Sequence, residues 1–272
     1  MNTATSSRIE ARFRENREHN RKGLVVYLTA GDPSLDATGE LLAAIDRAGA
    51  DVIELGIPFS DPLADGPVIQ RASERALRRG ATLGRVLDRL AGWRQGLRAP
   101  VILFGYYNPI LRYGLERFAS DAAQAGADGS LVVDLSPEEA AGYVAAMRAA
   151  RLDTIFLASP TSTDERLRRV AAVSSGFVYL VSRTGVTGER AELSAAVGPL
   201  IERIRRLSAL PVAVGFGVSN PGQVRAVQQM ADAAVVGSAV VRRIEELDGG
   251  GLAQGIEQFI RWLREGNGSA AQ

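Results

Sequence analysis

Short apolar runs alternate with longer stretches of helical periodicity along this 272-residue chain, and that alternation limits the possible folds. Continuous apolar runs are typical of strands buried on both faces, and intervening helices indicate βα units with a parallel sheet. The pattern predicts strands near 24–29, 51–56, 100–105, 130–134, 153–157, 177–182, 211–215 and 233–237. It predicts helices between and after them near 34–48, 67–79, 115–126, 137–150, 163–173, 192–207, 220–230 and 252–264.

Eight strands in strict alternation favour an α/β fold of the closed (β/α)8 TIM-barrel type, although an open doubly wound sheet gives a similar string. The length agrees, because such barrels use about 250 residues as one domain. We predict a single domain over 1–272, with a frayed tail at 266–272. An extra N-terminal helix from Arg8 to Glu18 is expected to cover the barrel bottom, and 83–96 should form an additional helix.

The composition excludes several kinds of chemistry. There is no Cys, the only His is His19 in a charged N-terminal stretch, and Lys22 is the only Lys. Cysteine nucleophiles, histidine bases, thiolate metal sites and a central Schiff-base lysine are therefore excluded, and we expect no metal. Carboxylates and tyrosines remain for proton transfer.

Charge and hydropathy also limit the partners. With a formal net charge of +1, neither nucleic acid nor an anionic membrane is an expected partner. No stretch approaches the roughly 18 to 20 apolar residues that a membrane span needs. Residues 1–23 lack a secretory apolar core and carry Glu10, Glu15 and Glu18, which argue against a transit peptide. We expect a cytoplasmic enzyme.

A glutamate inside an apolar strand is the strongest candidate for catalysis. Glu54 lies in Ile53 to Gly56, and Asp61 and Asp65 follow in a proline-punctuated loop. An ionised carboxylate is costly to bury unless it is paired or its pKa rises, so Glu54 is an acid/base candidate. Two structural alternatives stay open: a Tyr or Arg neutralises Glu54, and Asp65 only forms a turn.

Other polar residues follow the predicted strands, where barrel active sites lie. Tyr106 and Asn108 follow strand 3, Asp134 ends strand 4, and Tyr179 lies on strand 6. Asn108 and Asp134 could equally be turn residues.

Three late loops carry glycines suited to phosphate, which needs close backbone approach and benefits from a small hydroxyl. They are 185–188, 215–217 and 237–238. A dinucleotide site is not expected, because the pattern G-x-G-x-x-G that begins at Gly215 has Asn220 in place of its third glycine. An ATP site is not expected either, because the sequence contains no P-loop motif.

These motifs together resemble the tryptophan synthase α chain family over nearly the whole length. The matching blocks are Thr29 to Pro33, Ile53 to Gly56, Phe59 to Pro67, Tyr107 to Pro109, Ser182 to Gly188, Gly215 to Gly217 and Gly237 to Ala239. The resemblance implies a TIM barrel that cleaves indole-3-glycerol phosphate by a retro-aldol reaction into indole and glyceraldehyde 3-phosphate. It implies no cofactor in this chain. Pyridoxal phosphate is expected only in a partner β chain, within an αββα heterotetramer.

The resemblance also implies roles for single residues. Glu54 would protonate indole C3 and take the glycerol hydroxyl proton, Asp65 would accept the indole N–H, and Tyr179 would orient Glu54. The indole would be enclosed by Tyr27, Phe104, Tyr106 and Leu131. The phosphate would be held by Gly188, Gly217, Gly237 and Ser238, and loop closure would be coupled to the β chain by Asp61 and Thr187.

Some positions depart from the family pattern. Phe104-Gly105 replaces a more usual aliphatic or Met followed by Thr or Met, and Phe104 should shrink the indole pocket. Ser136 replaces a common proline where the family meets its β partner. Two alternative functions stay open: a standalone lyase that releases free indole, and a weakly catalytic barrel that activates a β-type partner.

Overall fold

The strands form one parallel sheet. The computed structural model describes residues 6–181, 190–215, 217–247 and 250–266. Within these ranges the strands are β1 (Gly23–Thr29), β2 (Val52–Gly56), β3 (Val101–Gly105), β4 (Gly129–Val132), β5 (Asp153–Ile155), β6 (Leu157–Ala158), β7 (Val178–Val181), β8 (Val212–Gly215) and β9 (Ala233–Val236).

Helices follow the strands around the outside. In the described ranges they are α1 (Arg8–Glu18), α2 (Leu35–Arg47), α3 (Pro67–Arg78), α4 (Leu83–Trp93), α5 (Tyr107–Tyr113), α6 (Leu115–Gln124), α7 (Ala141–Ala149), α8 (Asp164–Val173), α9 (Arg190–Leu207), α10 (Pro221–Met230), α11 (Ser238–Glu246) and α12 (Leu252–Glu265). In the described part of the chain, no helix is long and apolar enough to cross a membrane.

The sheet closes into a barrel. Its order is β5-β4-β3-β2-β1-β9-β8-β7-β6, and every pair of neighbours is parallel. Only Phe156 separates β5 from β6, so these two short strands act as one. Since β5 pairs with β4 and β6 pairs with β7, the circle is complete. The predicted (β/α)8 barrel is therefore confirmed.

Alternation along the strands divides the core into two parts. Ile53 and Leu55 point outward into the large cluster between sheet and helices. Val25 and Val52 belong to the barrel interior, which Ile9 and Phe13 of α1 close from below. The expected covering helix is thus present. Because side chains on a strand alternate with a period of two, Glu54 faces the interior on the same side as Val52.

Aspartates fix the strand starts at the barrel bottom. Each of these aspartates directly precedes a strand. Its carboxylate accepts a hydrogen bond from a backbone amide at the start of the preceding strand in the chain. The pairs are Leu24 N to Asp51 at 2.8 Å, Val101 N to Asp128 at 2.7 Å and Val212 N to Asp232 at 2.9 Å. This end of the barrel is therefore held by buried and partly buried polar contacts, which is typical of its stabilising face.

Two described helices were not expected as elements of their own. Helix α5 occupies a segment that the sequence suggested as a turn because of its Asn-Pro pair, and it buries Ile110. Helix α11 begins directly after Gly237 and buries Val240, Val241 and Ile244. Both begin where a strand has ended at the top of the barrel, α5 directly after Tyr106 and α11 directly after Gly237.

Candidate active site

Glu54 is buried inside the barrel mouth. Its side chain is 1% exposed, and it is paired in register with Tyr27 on β1. Among the described residues, no hydrogen-bond partner reaches its buried Oε1. Burial raises the pKa of Glu54 to about 8. The carboxyl group is therefore protonated at neutral pH, and neutralisation by an arginine or tyrosine is not seen among the described contacts.

Asp65 lies in the loop between β2 and α3, in a more polar setting. The Tyr106 hydroxyl donates to Asp65 Oδ2 at 3.0 Å and accepts from Ala64 N at 3.0 Å. Partial burial raises the pKa of Asp65 to about 6, and the Tyr106 hydrogen bond opposes that rise. Asp65 is thus ionised at neutral pH.

The loop that carries Asp65 is held by contacts from two elements. Gln70 on α3 donates through Nε2 to the carbonyl oxygens of Asp65 at 2.9 Å and Pro62 at 3.3 Å. The rings of Phe59 and Tyr106 pack with centroids 5.1 Å apart. Sequence reasoning assigned Tyr106 only to the indole walls and missed its bond to Asp65. The sequence feature that could have indicated this bond is the position of Tyr106 directly after β3, the strand that pairs with β2.

Aromatic side chains line the mouth beside Glu54. The rings of Tyr27 and Phe104 meet edge to face with centroids 5.1 Å apart, and the Tyr27 hydroxyl lies 3.2 Å from Thr29 Oγ1. Leu131 is fully buried and is paired in register with Phe104. Gly56 leaves room for the Tyr27 hydroxyl, which a Cβ there would clash with. Three predicted indole contacts therefore lie on β1, β3 and β4, on either side of the strand that carries Glu54.

Tyr179 packs against the barrel interior from β7, on the side opposite Glu54. It is paired in register with Leu157 and Ala213. Burial raises the pKa of Tyr179 well above its ordinary value, and the charges of Glu54 and Asp65 raise it further. The phenol therefore stays neutral and lies within electrostatic range of both carboxyl groups.

The candidate phosphate-binding residues follow two neighbouring strands, β8 and β9. Gly217 follows β8 with a φ of 70°, a conformation that favours glycine. Gly237 follows β9 and precedes Ser238, the first residue of α11. The first amides of a helix have no partner within it, and its positive dipole end attracts anions. Gly188 and Thr187 lie outside the described residues.

The remaining candidates are at the rim. Asp61 is exposed and accepts from the Ser60 hydroxyl at 2.6 Å. Asp134 Oδ1 accepts from Tyr107 N at 2.7 Å, at the first residue of α5, so its contact is structural. Ser136 donates to Glu139 at 3.0 Å.

Two large apolar side chains are exposed in the described part of the chain. Leu63 is 90% exposed in the loop after β2, and Leu111 on α5 is 53% exposed. Since β2 and β3 are adjacent, both belong to the same side of the barrel top.

Comparisons with known proteins agree on one family. The family described as "Tryptophan synthase alpha chain" matches residues 13–268. The chain is 55% identical over 256 residues to the tryptophan synthase alpha chain of Solibacter usitatus, covering 94% of this chain and 96% of that protein. It is 49% identical to that of Geobacter sulfurreducens, covering 97% and 100%.

Solved structures agree as well. The crystal structure of tryptophan synthase subunit alpha from Legionella pneumophila is similar, with a TM-score of 0.89 and 38% identity. That match covers 96% of this chain and 98% of the other. Tryptophan synthase from M. tuberculosis in its aminoacrylate-bound form gives a TM-score of 0.85 at 37% identity, covering 95% and 98%.

Proposed function

The chain belongs to the tryptophan synthase alpha chain family, and from that premise we propose how its residues perform the family's reaction. The chain is an α-type lyase of tryptophan biosynthesis, which cleaves indole-3-glycerol phosphate into indole and glyceraldehyde 3-phosphate. One observation carries the proposal. Burial places the pKa of Glu54 at about 8, whereas the pKa of Asp65 is about 6, so at neutral pH one group is an acid and the other an anion.

Cleavage of the carbon–carbon bond requires the indole ring to accept electrons. Protonated Glu54 gives its proton to indole C3, and the positive charge that develops at the ring nitrogen is stabilised by the Asp65 carboxylate. The Glu54 carboxylate then takes the proton of the glycerol hydroxyl next to the ring. The C–C bond breaks, the aldehyde forms and the bonding electrons return to the ring, so Glu54 ends protonated as it began.

The other residues hold the substrate in place. In this proposal Tyr179 orients Glu54, and Tyr27, Phe104 and Leu131 enclose the indole. The phosphate binds where the loops after β8 and β9 meet, at Gly217, Gly237 and Ser238, with Gly188 as a further predicted contact. The edge-to-face pair of Tyr27 and Phe104 supports a narrow slot suited to a flat ring.

We further propose that the reaction needs no cofactor in this chain. The proton balance supports this, because Glu54 gives one proton and takes one back without any redox step. Dialysis against a metal chelator should leave cleavage unchanged. Loss of activity that added metal restores would count against the proposal.

The family places a β chain beside this one as partner. We propose an αββα heterotetramer in which the exposed Leu63 and Leu111 lie under the β chain, with Asp61 and Thr187 coupling loop closure to it. Leu111→Asp should weaken β binding in sedimentation experiments and leave cleavage by the isolated chain unchanged. Gln254→Asp, an exposed change on α12, is the control. Equal binding by both variants would refute this face as the interface.

The proposed compartment is the cytoplasm. Cell fractionation with an antibody against the chain checks it, and recovery from a membrane or extracellular fraction would contradict it.

One assay tests the catalytic assignment. The purified chain is incubated with indole-3-glycerol phosphate and indole release is followed, with and without a β chain. Glu54→Gln should abolish cleavage because it removes proton transfer while keeping size, and inhibition by inorganic phosphate should persist. Glu40→Gln on the exposed face of α2 is the matched control. Undiminished turnover in Glu54→Gln would overturn the assignment, and high activity without a β chain would favour a standalone lyase.

A further inference from the structure

Helices α3 and α11 lie side by side over the top of β1. Helix α3 begins at Pro67, two residues after Asp65, and α11 begins at Ser238. Between them, Tyr27 packs in one apolar cluster with Val68 and Ala72 of α3 and Val241 of α11. The two helices therefore connect the aromatic wall, the Asp65 loop and the phosphate end of the site.

Four charged residues join the same helices on their outer side, and we call them the α3–α11 clamp: Asp32, Arg71, Arg75 and Glu245. Arg75 binds Asp32 through two parallel bonds of 2.9 and 2.8 Å and reaches Glu245 at 2.8 Å. Arg71 binds the same Glu245 at 3.2 and 2.9 Å. The clamp therefore links the loop after β1 to both helices.

The geometry of the clamp restricts motion between these elements. Two parallel bonds between a guanidinium group and a carboxylate fix orientation as well as distance. The Asp32 side chain is only 4% exposed, whereas Glu245 is 33% exposed. One end of the clamp is thus anchored in the barrel top, and the other end holds α11.

A hydrogen-bonded path continues from α3 to the catalytic loop. Gln70 lies between Pro67 and Arg71 on α3 and holds the carbonyl oxygen of Asp65. A displacement of α3 relative to α11 would therefore change the distance between Asp65 and Ser238. Indole and phosphate are the two ends of one substrate, so this distance decides whether both ends bind at once.

We propose that Arg71, Arg75 and Glu245 are positioning residues that set the spacing between the indole end and the phosphate end of the site. The proposal rests on the proposed function, since it assumes that the indole end lies at Asp65 and the phosphate end at Ser238. A residue that sets spacing affects a ligand that spans both ends. It does not affect a fragment that occupies one end alone.

Glu245→Gln is the test variant, because it keeps size and leaves Asp32 paired with Arg75. We expect the kcat/KM for indole-3-glycerol phosphate to fall on the order of fivefold, mainly through KM, as is typical of coupling between sites. Inhibition constants for inorganic phosphate and for indole, each measured separately, should stay within about twofold, because each fragment fills one end. Arg71→Gln should behave in the same way.

Glu246→Gln is the matched control. Glu246 is the next residue on α11 and pairs with Arg243 of the same helix, so this ion pair does not link α11 to another element. Its kinetics should equal those of the unmodified chain. Partly exposed ion pairs contribute little to global stability, so all three variants should melt at similar temperatures.

The outcomes separate the two proposals. Lack of cleavage by the unmodified chain would refute the proposed function and, with it, the clamp. An active chain with unchanged Glu245→Gln and Arg71→Gln kinetics would refute the clamp alone. The clamp is also refuted if fragment affinities fall in parallel with substrate affinity, or if a lowered melting temperature accompanies the loss.

Discussion

Replacing Tyr106 by Phe removes one hydroxyl and tests whether Asp65 must be ionised. The ring keeps its packing on Phe59, so only the hydrogen bonds to Asp65 Oδ2 and Ala64 N are lost. A hydrogen bond to a charged group contributes about 1.5–3 kcal/mol, and the incomplete burial of Asp65 favours the lower end. Since 1.36 kcal/mol corresponds to one pH unit, the pKa of Asp65 should rise by about one unit from its value of about 6.

The sign follows from the role of the carboxylate. Asp65 acts as an anion, so activity is lost as pH falls through its pKa. A higher pKa therefore moves the acid limb of kcat/KM upward by about one pH unit, which is about tenfold less activity well below the limb and little change above it. Indole release measured between pH 5 and 9 gives this profile.

A second tyrosine–aspartate pair supplies the control. The Tyr113 hydroxyl donates to Asp121 at 2.6 Å on α5 and α6, outside the candidate active site. Tyr113→Phe should leave the pH profile unchanged. An acid limb that stays in place in Tyr106→Phe would refute the assignment of Asp65 as the required anion, or of Tyr106 as the group that keeps it ionised.

Three further predictions concern the same site. The unmodified chain should show a bell-shaped pH profile of kcat/KM, falling below about pH 6 as Asp65 is protonated and above about pH 8 as Glu54 loses its proton; a flat profile would contradict both roles. Ser238→Ala should raise KM about fivefold, for loss of about 1 kcal/mol of hydroxyl bonding to phosphate, and a kcat defect at unchanged KM would argue against that contact. Gly56→Ala should lower both activity and melting temperature, because its Cβ overlaps the hydroxyl and the ring edge of Tyr27, at a cost of about 1–3 kcal/mol; Tyr27→Leu, which removes those atoms, should partly restore the melting temperature in the double variant, and no recovery would exclude this clash as the cause.

The barrel could be predicted because its strands are buried on both faces. Runs such as Leu24 to Leu28 are apolar throughout, and the helices between them carry the periodicity of one buried stripe. The division of the fifth predicted strand at Phe156 could not be predicted, because it depends on which neighbour each half pairs with. Helix α5 was missed because an Asn-Pro pair is more often a turn.

The site was predictable where a residue conflicts with its surroundings. Glu54 conflicts with an apolar strand, and the structure shows that strand alternation turns it inward. Tyr106 has no such conflict, since a tyrosine at a strand exit fits several roles. Its bond to Asp65 joins residues 41 positions apart, and no local pattern reports it.

The charged residues of α3 show the same limit more sharply. Arg78 pairs with Glu74 four residues earlier, as an exposed helix face predicts, whereas Arg75 on the same helix reaches the buried Asp32. Spacing along the helix cannot distinguish these arginines, because the difference lies in what packs against each. The pairing of β1 with β2 and with β9 brings the loop after β1 and helix α11 beside α3. Arg75 therefore bonds to residues of both, whereas Arg78 stays on the surface.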